Sequence, residues 1–310
     1  LVVSIDALLI QQAAASAAGA QQYPKGALYV VATPIGNLAD ITLRAVHALA
    51  LADAVACEDT RVSAGLLRHL GLDKPLLALH EHNEAQAAQA VIERLARDER
   101  VACMSDAGTP AVSDPGARLV AAVRAAGHRV IPLPGASSVT TALSVAGDAG
   151  GTGFSFIGFL PAKAGERQGL LSKLAQRTQT TVLFEAPHRI AALAVALASA
   201  MPARPVTLCR ELSKQFESIA TLPAGDLPAW LAADAHRTRG EFVLVLHAQP
   251  RHDDAAAAAG TDRLLRTLLA ALPLKQAVSL AAEASGAGRN ALYERALALR
   301  DGAEPPQSRR

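Results

Sequence analysis

Carboxylates gather where apolar runs end. Asp106 follows VACM, Glu58 and Asp59 follow DAVAC, Glu81 follows LLALH, and Glu185 follows TTVLF. Around them lie seven short polar stretches: ATPIGNLAD, EDTR, HEHNE, SDAGTP, PGASS, FLPAK and EAPHR. Carboxylates in such loops accept hydrogen bonds from sugar hydroxyls or an ammonium, and loop N–H groups hold a carboxylate. None of the stretches has the G-x-G-x-x-G or G-x-x-x-x-G-K spacing that cradles phosphate.

The elements that must position these loops follow from periodicity. From Leu28 the chain alternates buried-strand runs (LYVVATP, DAVACED, LLALH, VACMSD, RVIPLPG) with helical patterns such as ITLRAVHALA and EAQAAQAVIERLARD. This rhythm predicts a mostly parallel sheet covered by helices, with ligands beyond the carboxyl ends of its strands. A second block follows the glycine cluster GDAGGTG, read as a linker. Its strands are FSFIGFLP, TTVLFEAP, PVTLCREL, KQFESIAT and EFVLVLHA, and the short CREL–KQFES turn predicts an antiparallel hairpin in a mixed sheet. The expected fold class is α/β: two α/β domains, at 27–148 and 149–250, and a helical accessory segment with its linker at 251–310. In that last segment LKQAVSLAAEA and RNALYERALAL are read as a packed helical hairpin rather than a helix-turn-helix.

Residues 1–26 read as a low-complexity extension outside the chemistry. LVVSIDALLI is not preceded by basic residues, which argues against a secretory signal. No apolar run reaches spanning length, so no membrane association is expected. A net formal charge of +2 with 51% hydrophobic residues argues against a strongly basic nucleic-acid binder, although a local basic face is compatible with it. Residues 151–214 hold such an excess, eight basic against three acidic, whereas 251–310 hold nine against seven. The latter balance is too even for a DNA-binding module. Cys57, Cys103 and Cys209 lack C-x-x-C spacing and read as buried thiols of a reducing compartment, with no metal site.

Two further aspartates read as helix starters. Asp40 is expected to cap ITLRAVHALA. Asp114, followed by Pro115, is expected to cap ARLVAAVRAAG, with Gly127 as its stop, and is left outside the site.

A phosphate-free ligand bearing a ribose, an adenine, an amine and a carboxylate would suit the loops, and S-adenosylmethionine has these parts. Gly36, Gly108 and Gly135 would let the backbone approach it.

The ordered run LYVVATPIGNLADITLRA, EDTR, SDAGTPAVSDPG, LPGASS, FLP, FEAPHR and RGEFVLVL resembles the tetrapyrrole-methylase-like methyltransferases. Within them it resembles the ribosomal RNA small subunit methyltransferase I family over roughly residues 27–248, and LPLKQAVSLAAEASGAGRNALYERAL resembles that family's C-terminal helices. The first loop lacks the glycine richness of porphyrin-type members, and SDAGTP stands where they carry G-D-P; both departures favour the RNA branch. The resemblance implies two α/β domains with S-adenosylmethionine in the cleft between them, a cytoplasmic homodimer, and methylation of a cytidine ribose 2′-hydroxyl in 16S (small-subunit) ribosomal RNA. It implies cofactor contacts from Pro34, Gly36, Asn37, Ser105, Asp106, Ala107, Gly108, Thr109, Pro110, Gly135, Ala136, Ser137, Phe159 and Leu160. Substrate contacts are expected from Arg61, His82, Asn83, His188 and Arg189. The hydroxyl needs a base, for which Glu58, Asp59, Glu81 and Glu185 all qualify, and no metal is required. Two rival readings are a tetrapyrrole or other small-molecule methylase on the same fold and a non-catalytic RNA-binding assembly factor.

Overall fold

The computed structural model describes residues 7–80, 83–249 and 252–300. They form two compact units, one ending at His247 and the other beginning at Ala248.

The first unit holds two five-stranded sheets. Chain order begins with helix α1 (Ala7–Ala18), then β1 (Ala27–Val31), α2 (Leu43–Leu51), β2 (Ala54–Cys57), α3 (Thr60–His69), β3 (Leu76–Ala78), α4 (Glu84–Ala96), β4 (Val101–Met104), α5 (Ala117–Ala125), β5 (Arg129–Leu133) and α6 (Ser138–Ala146). Their strand order is β3-β2-β4-β1-β5, and every pairing is parallel. The inner strands β1, β2 and β4 are continuous apolar runs, as befits strands covered on both faces, while the edge strands β3 and β5 are partly exposed. Tyr29 and Val31 pack with α2 on one face, while Leu28, Val101 and Cys103 pack with α4 and α5 on the other.

The second sheet is mixed, as expected. It is built from β6 (Phe154–Phe159), α7 (Ala164–Ala175), β7 (Thr180–Glu185), α8 (Ile190–Ala200), β8 (Pro205–Arg210), β9 (Ser218–Pro223), α9 (Leu227–Ala232) and β10 (Phe242–Leu246), ordered β6-β7-β10-β8-β9. Only β6 and β7 run parallel; β8 and β9 form the antiparallel hairpin. Helix α6, which follows β5, packs onto this second sheet: Val139, Ala142 and Ala146 share a core with Val182, Cys209, Val243 and Val245. The guanidinium of buried Arg204 closes the far end of the sheet, donating to the carbonyls of His247 (2.8 Å), Leu174 (2.8 Å) and Gln179 (3.0 Å).

Three expectations change. Part of the N-terminal extension is a helix docked on the first sheet's cover, with Ala14 fully buried and Gln11 Nε2 donating to the carbonyl of Leu70 at 2.7 Å. Asp40 lies in a short 3-10 turn, and Thr42 caps α2 by accepting from the amide of Ala45. Asp114 does not cap α5; that role falls to Glu84, whose Oε1 accepts from the amides of Gly116 (2.9 Å) and Arg118 (3.1 Å). Gly127 does follow the end of α5, at φ +83°.

The second unit is a three-helix body, α10 (His252–Ala271), α11 (Leu274–Ser285) and α12 (Arg289–Arg300). Helix α10 occupies most of the stretch read as linker, because alanine outweighs the lone Gly260 in helix propensity. Leu265, Val278, Ala281, Leu292 and Ala296 form its core, and Arg295 grips Asp262 with two side-chain hydrogen bonds.

All three cysteines are buried and unpaired. Burial pushes the Cys103 and Cys209 thiols up to about 12.

Candidate active site

The loops after β1, β4 and β5 are stitched together at the carboxyl end of the first sheet. The amide of Thr33 donates to the carbonyl of Gly108 at 2.9 Å, and the amide of Gly108 donates back to the carbonyl of Thr33 at 3.1 Å. The hydroxyl of Thr33 reaches the carbonyl of Ser105 (3.1 Å), and that of Thr109 reaches the carbonyl of Ala136 (3.3 Å). Gly108 sits at φ +82°, where a side chain is strained. A Cβ at Gly135 would meet Ala32 Cβ at 2.9 Å, so the β5 loop lies directly against β1's end.

Above this floor opens a cleft of about 410 Å³ between the two sheets. Ile35, Ala107, Ser113, Asp114 and Ser138 line it from the first side; Phe159, Phe184, Glu185, Ala186, Pro187, Leu212, Glu241, Phe242 and Val243 line it from the second. A small recess beside it adds Gly108, Thr109 and Ser137. A polar hollow of about 510 Å³, lined by Glu84, Ser113, Asp114 and Arg118, adjoins at Ser113 and Asp114. The arrangement is an apolar slot with a few convergent polar groups, the usual constitution of a small-molecule site.

Of the expected cofactor residues, Ala107, Gly108, Thr109, Ser137 and Phe159 line the cleft or its recess. The remainder shape the loops. Asn37 accepts from the amide of Ala39, Ser105 is buried beneath the loop, Asp106 Oδ1 accepts from the amide of Asp59, and the carbonyl of Leu160 accepts from Arg189. Pro34, Pro110, Gly135 and Ala136 belong to the same stitched loops, and Gly36 lies under the side chain of Lys214.

The four base candidates separate clearly. Asp59 is the cap of α3: Oδ1 accepts from the amide of Arg61 at 2.8 Å, and Oδ2 receives Arg61 Nη2 at 2.6 Å. The Arg61 side-chain hydrogen bond, then its backbone bond, lowers the Asp59 carboxyl to about 2, which makes it a poor proton acceptor. Glu58 stands half-buried at the end of β2, and Glu81 lies outside the described residues. Glu185, at the end of β7, is fully buried and lines the cleft. Its Oε1 accepts from the amide of Ala186 (2.9 Å) and lies 3.0 Å from Arg189 Nε, a charge contact rather than an aligned hydrogen bond. Its Oε2 has no donor among the described residues.

The expected RNA contacts fare unevenly. Arg189 is committed to Glu185 and to the Leu160 carbonyl, so it is an internal cation rather than a free phosphate ligand. Asn83 is used locally: Oδ1 accepts from the amide of His80, and Nδ2 donates to the carbonyl of Ala78. Arg61 keeps 90% of its side chain exposed while paired to Asp59. His188 is exposed, and His82 lies outside the described residues.

Two groups were missed from sequence. Asp114 reaches the cleft instead of a helix end; burial pushes its carboxyl above the usual range, a Ser105 hydrogen bond partly opposes this, and Asp106 adds to the rise. The turn after β8 also contributes: Leu212 enters the cleft wall, and Lys214 Nζ bonds Glu211 Oε1 (2.9 Å) and Glu241 Oε2 (3.0 Å). The D-P pair hid the first, and partners remote in sequence hid the second.

Residues 27–228 match the Tetrapyrrole (Corrin/Porphyrin) Methylases, and residues 254–300 match the RsmI C-terminal HTH domain. The second match assigns helix-turn-helix character where a simple hairpin was expected. The chain is 46% identical over 89% of its length to "Ribosomal RNA small subunit methyltransferase I" of Neisseria meningitidis serogroup A, of which it covers 94%. It is 46% identical over 88% of its length to the protein of the same name from Pseudomonas aeruginosa, of which it covers 97%. Among solved structures, the uroporphyrin-III-C-methyltransferase of Thermus thermophilus aligns with TM-score 0.52 and 22% identity over 72% of this chain and 94% of that one. A second structure of that enzyme type from the same organism, complexed with S-adenyl homocysteine, aligns with TM-score 0.50 and 17% identity over 71% and 96%. At such identity these structures speak for the fold alone.

Proposed function

Because this chain belongs to the ribosomal RNA small subunit methyltransferase I family, a branch of the tetrapyrrole methylases, we propose that it methylates small-subunit ribosomal RNA from S-adenosylmethionine bound in the cleft between the two sheets. The finer reading is transfer to a cytidine ribose 2′-hydroxyl, by a cytoplasmic homodimer. The observation that carries the site is the coincidence of the stitched β1, β4 and β5 loops with an apolar slot holding one buried, half-partnered carboxylate, Glu185.

The residues present fit the cofactor. Ile35, Phe184, Leu212 and Val243 offer apolar surface, Gly108 and Thr109 offer close backbone approach, and Asp114 and Ser138 offer polar contacts. When bound, S-adenosylmethionine supplies an electrophilic methyl group. The chain supplies position and a proton acceptor. Holding two reactants in register is worth effective molarities of roughly 10⁵ M or more, which makes a rigid floor catalytic in itself. Glu185, a cleft-lining carboxylate whose Oε2 has no donor among the described residues, is the group read as taking the hydroxyl proton, and Arg189 beside Oε1 holds the carboxylate in place. Phe159 packs edge-on against Phe184 at 5.7 Å between ring centroids, giving the slot an apolar lining.

RNA approach is supported by exposed cations near the loops. Arg61, Arg118 and Lys163 have side-chain exposures of 90%, 80% and 83%. The three-helix unit is read as an accessory that helps to dock the ribosomal subunit.

The test is methyl transfer from labelled S-adenosylmethionine to small ribosomal subunits, followed by ribose-methylation mapping of their RNA. A single new 2′-O-methyl cytidine is expected. Label entering only uroporphyrinogen would return the protein to the tetrapyrrole branch, and failure to bind the cofactor would leave an RNA-binding factor.

A further inference from the structure

We propose that Lys214 is a positioning residue that clasps the two walls of the cleft and sets the place of the β1 loop through Gly36. The inference rests on the cofactor reading above.

Three observations meet at this side chain. The first is its anchor: Nζ is shared by Glu211 and Glu241, both on the second-sheet wall. The second is its path. Between Cα and that anchor the stem runs over Gly36 of the first wall, so that a Cβ at Gly36 would overlap Lys214 Cγ and lie 3.0 Å from Cε. Gly36 is therefore the notch through which the stem passes, and its neighbour Ile35 faces the cleft. The third is the strain of the turn that carries it. Glu211 and Ser213, neither a glycine, hold φ of +53° and +63° on either side of Leu212, which is buried in the opposite wall.

Such backbone persists only where surrounding contacts over-determine it, and it gathers at ligand clamps. Here the contacts can be named. The amide of Glu211 donates to the carbonyl of Glu241 (3.0 Å), the amide of Lys214 to the carbonyl of Glu211 (3.0 Å), and the amide of Ser213 to Glu217 Oε2 (2.6 Å). One turn thus delivers both a wall residue, Leu212, and the clasp, Lys214. Displacing the stem moves Ile35 and Leu212 together, and with them the width of the slot.

A double-mutant cycle on cofactor affinity tests this, using Gly36→Ala, Lys214→Ala and the pair, with S-adenosylmethionine titrated calorimetrically into the full chain. Each single change should weaken binding about tenfold, and the pair should fall clearly short of the product of the two penalties, because the shortened side chain vacates the space nearest the new methyl while the backbone strain at Gly36 and the Leu212 carbonyl at 3.1 Å remain. In turnover, Lys214→Ala should raise KM for S-adenosylmethionine about tenfold while kcat falls less than about threefold, a split that general destabilisation would not produce. Lys214→Arg keeps stem and charge and should restore affinity to within about threefold of wild type. Should Gly36→Ala fail to fold, the Ala and Arg variants of Lys214 still decide. Penalties that multiply in the cycle, or an unimpaired Lys214→Ala, overturn the clasp while leaving the methyltransferase reading intact. A wild-type chain that binds no S-adenosylmethionine overturns both.

Discussion

Glu185 and Arg189 form an ion pair across the four-residue step from the end of β7 to the start of α8, at the wall of the cleft, with Oε1 3.0 Å from Nε and Oε2 left without a donor among the described residues. One oxygen is committed to structure, and the other is buried without a donor. Glu185→Gln preserves the shape and removes the proton acceptor. It should lower kcat by about 10²- to 10⁴-fold with little change in cofactor affinity, read by single-turnover methylation and calorimetry. An unimpaired kcat would move the base elsewhere.

Arg189 should matter more for folding than for RNA. Arg189→Ala leaves the buried Glu185 carboxylate uncompensated and should cost about 3–5 kcal/mol of stability, measured by urea unfolding of the full chain. A weakened affinity for ribosomal subunits with unchanged stability would instead show a phosphate contact.

Gly108→Ala places a side chain at φ +82°. A left-handed conformation costs roughly 1–2 kcal/mol for a residue with a Cβ. The added methyl would stand 3.5 Å from Ile35 Cγ2, an ordinary contact, so strain rather than clash is the cause. The expected result is a lower unfolding midpoint that bound cofactor partly restores.

Asp59 and Asp114 should respond to acid in opposite senses. The Asp59 carboxyl is lowered from 3.8 to about 2, chiefly by Arg61, so its stabilising effect is complete above 3.8 and is lost as pH falls towards 2. Asp114 is raised by burial, so its ionisation disfavours the fold, increasingly as pH climbs above 3.8. Asp59→Asn should therefore destabilise at neutral pH, with the difference fading towards about pH 2. Asp114→Asn should stabilise at neutral pH while slowing methyl transfer. Thermal midpoints across the acid range decide both.

The strands, the floor loops and the mixed second sheet were legible because each depends on local grammar: short apolar runs, then turn residues. Gly108 could be placed at the cleft's recess for that reason, whereas Asp106, expected beside it, is turned to the amide of Asp59. Asp114 could not be placed in the cleft. The real cap of α5 is Glu84, which reaches Gly116 from 32 positions away. No local pattern distinguishes an aspartate that starts a helix from one that a distant carboxylate has displaced into a cleft. Asp40 was misassigned more simply, because Thr42 two positions later offers an equally good cap. Lys214 was counted only as part of a basic excess. Its function depends on Gly36 and Glu241, which are remote from it in sequence and meet it only in the folded chain.

The reciprocal hydrogen bonds of Thr33 and Gly108 have a thermodynamic consequence for ligand capture. Ordering a backbone residue costs about 1–2 kcal/mol of conformational entropy, and a loop that orders around its ligand subtracts that from affinity. In this protein the two floor loops are tied to each other at 2.9 and 3.1 Å by the fold itself. Their entropy is surrendered when the chain folds, before any ligand arrives, so the heat-capacity change on binding should reflect buried apolar surface alone, with no contribution from loops falling into place.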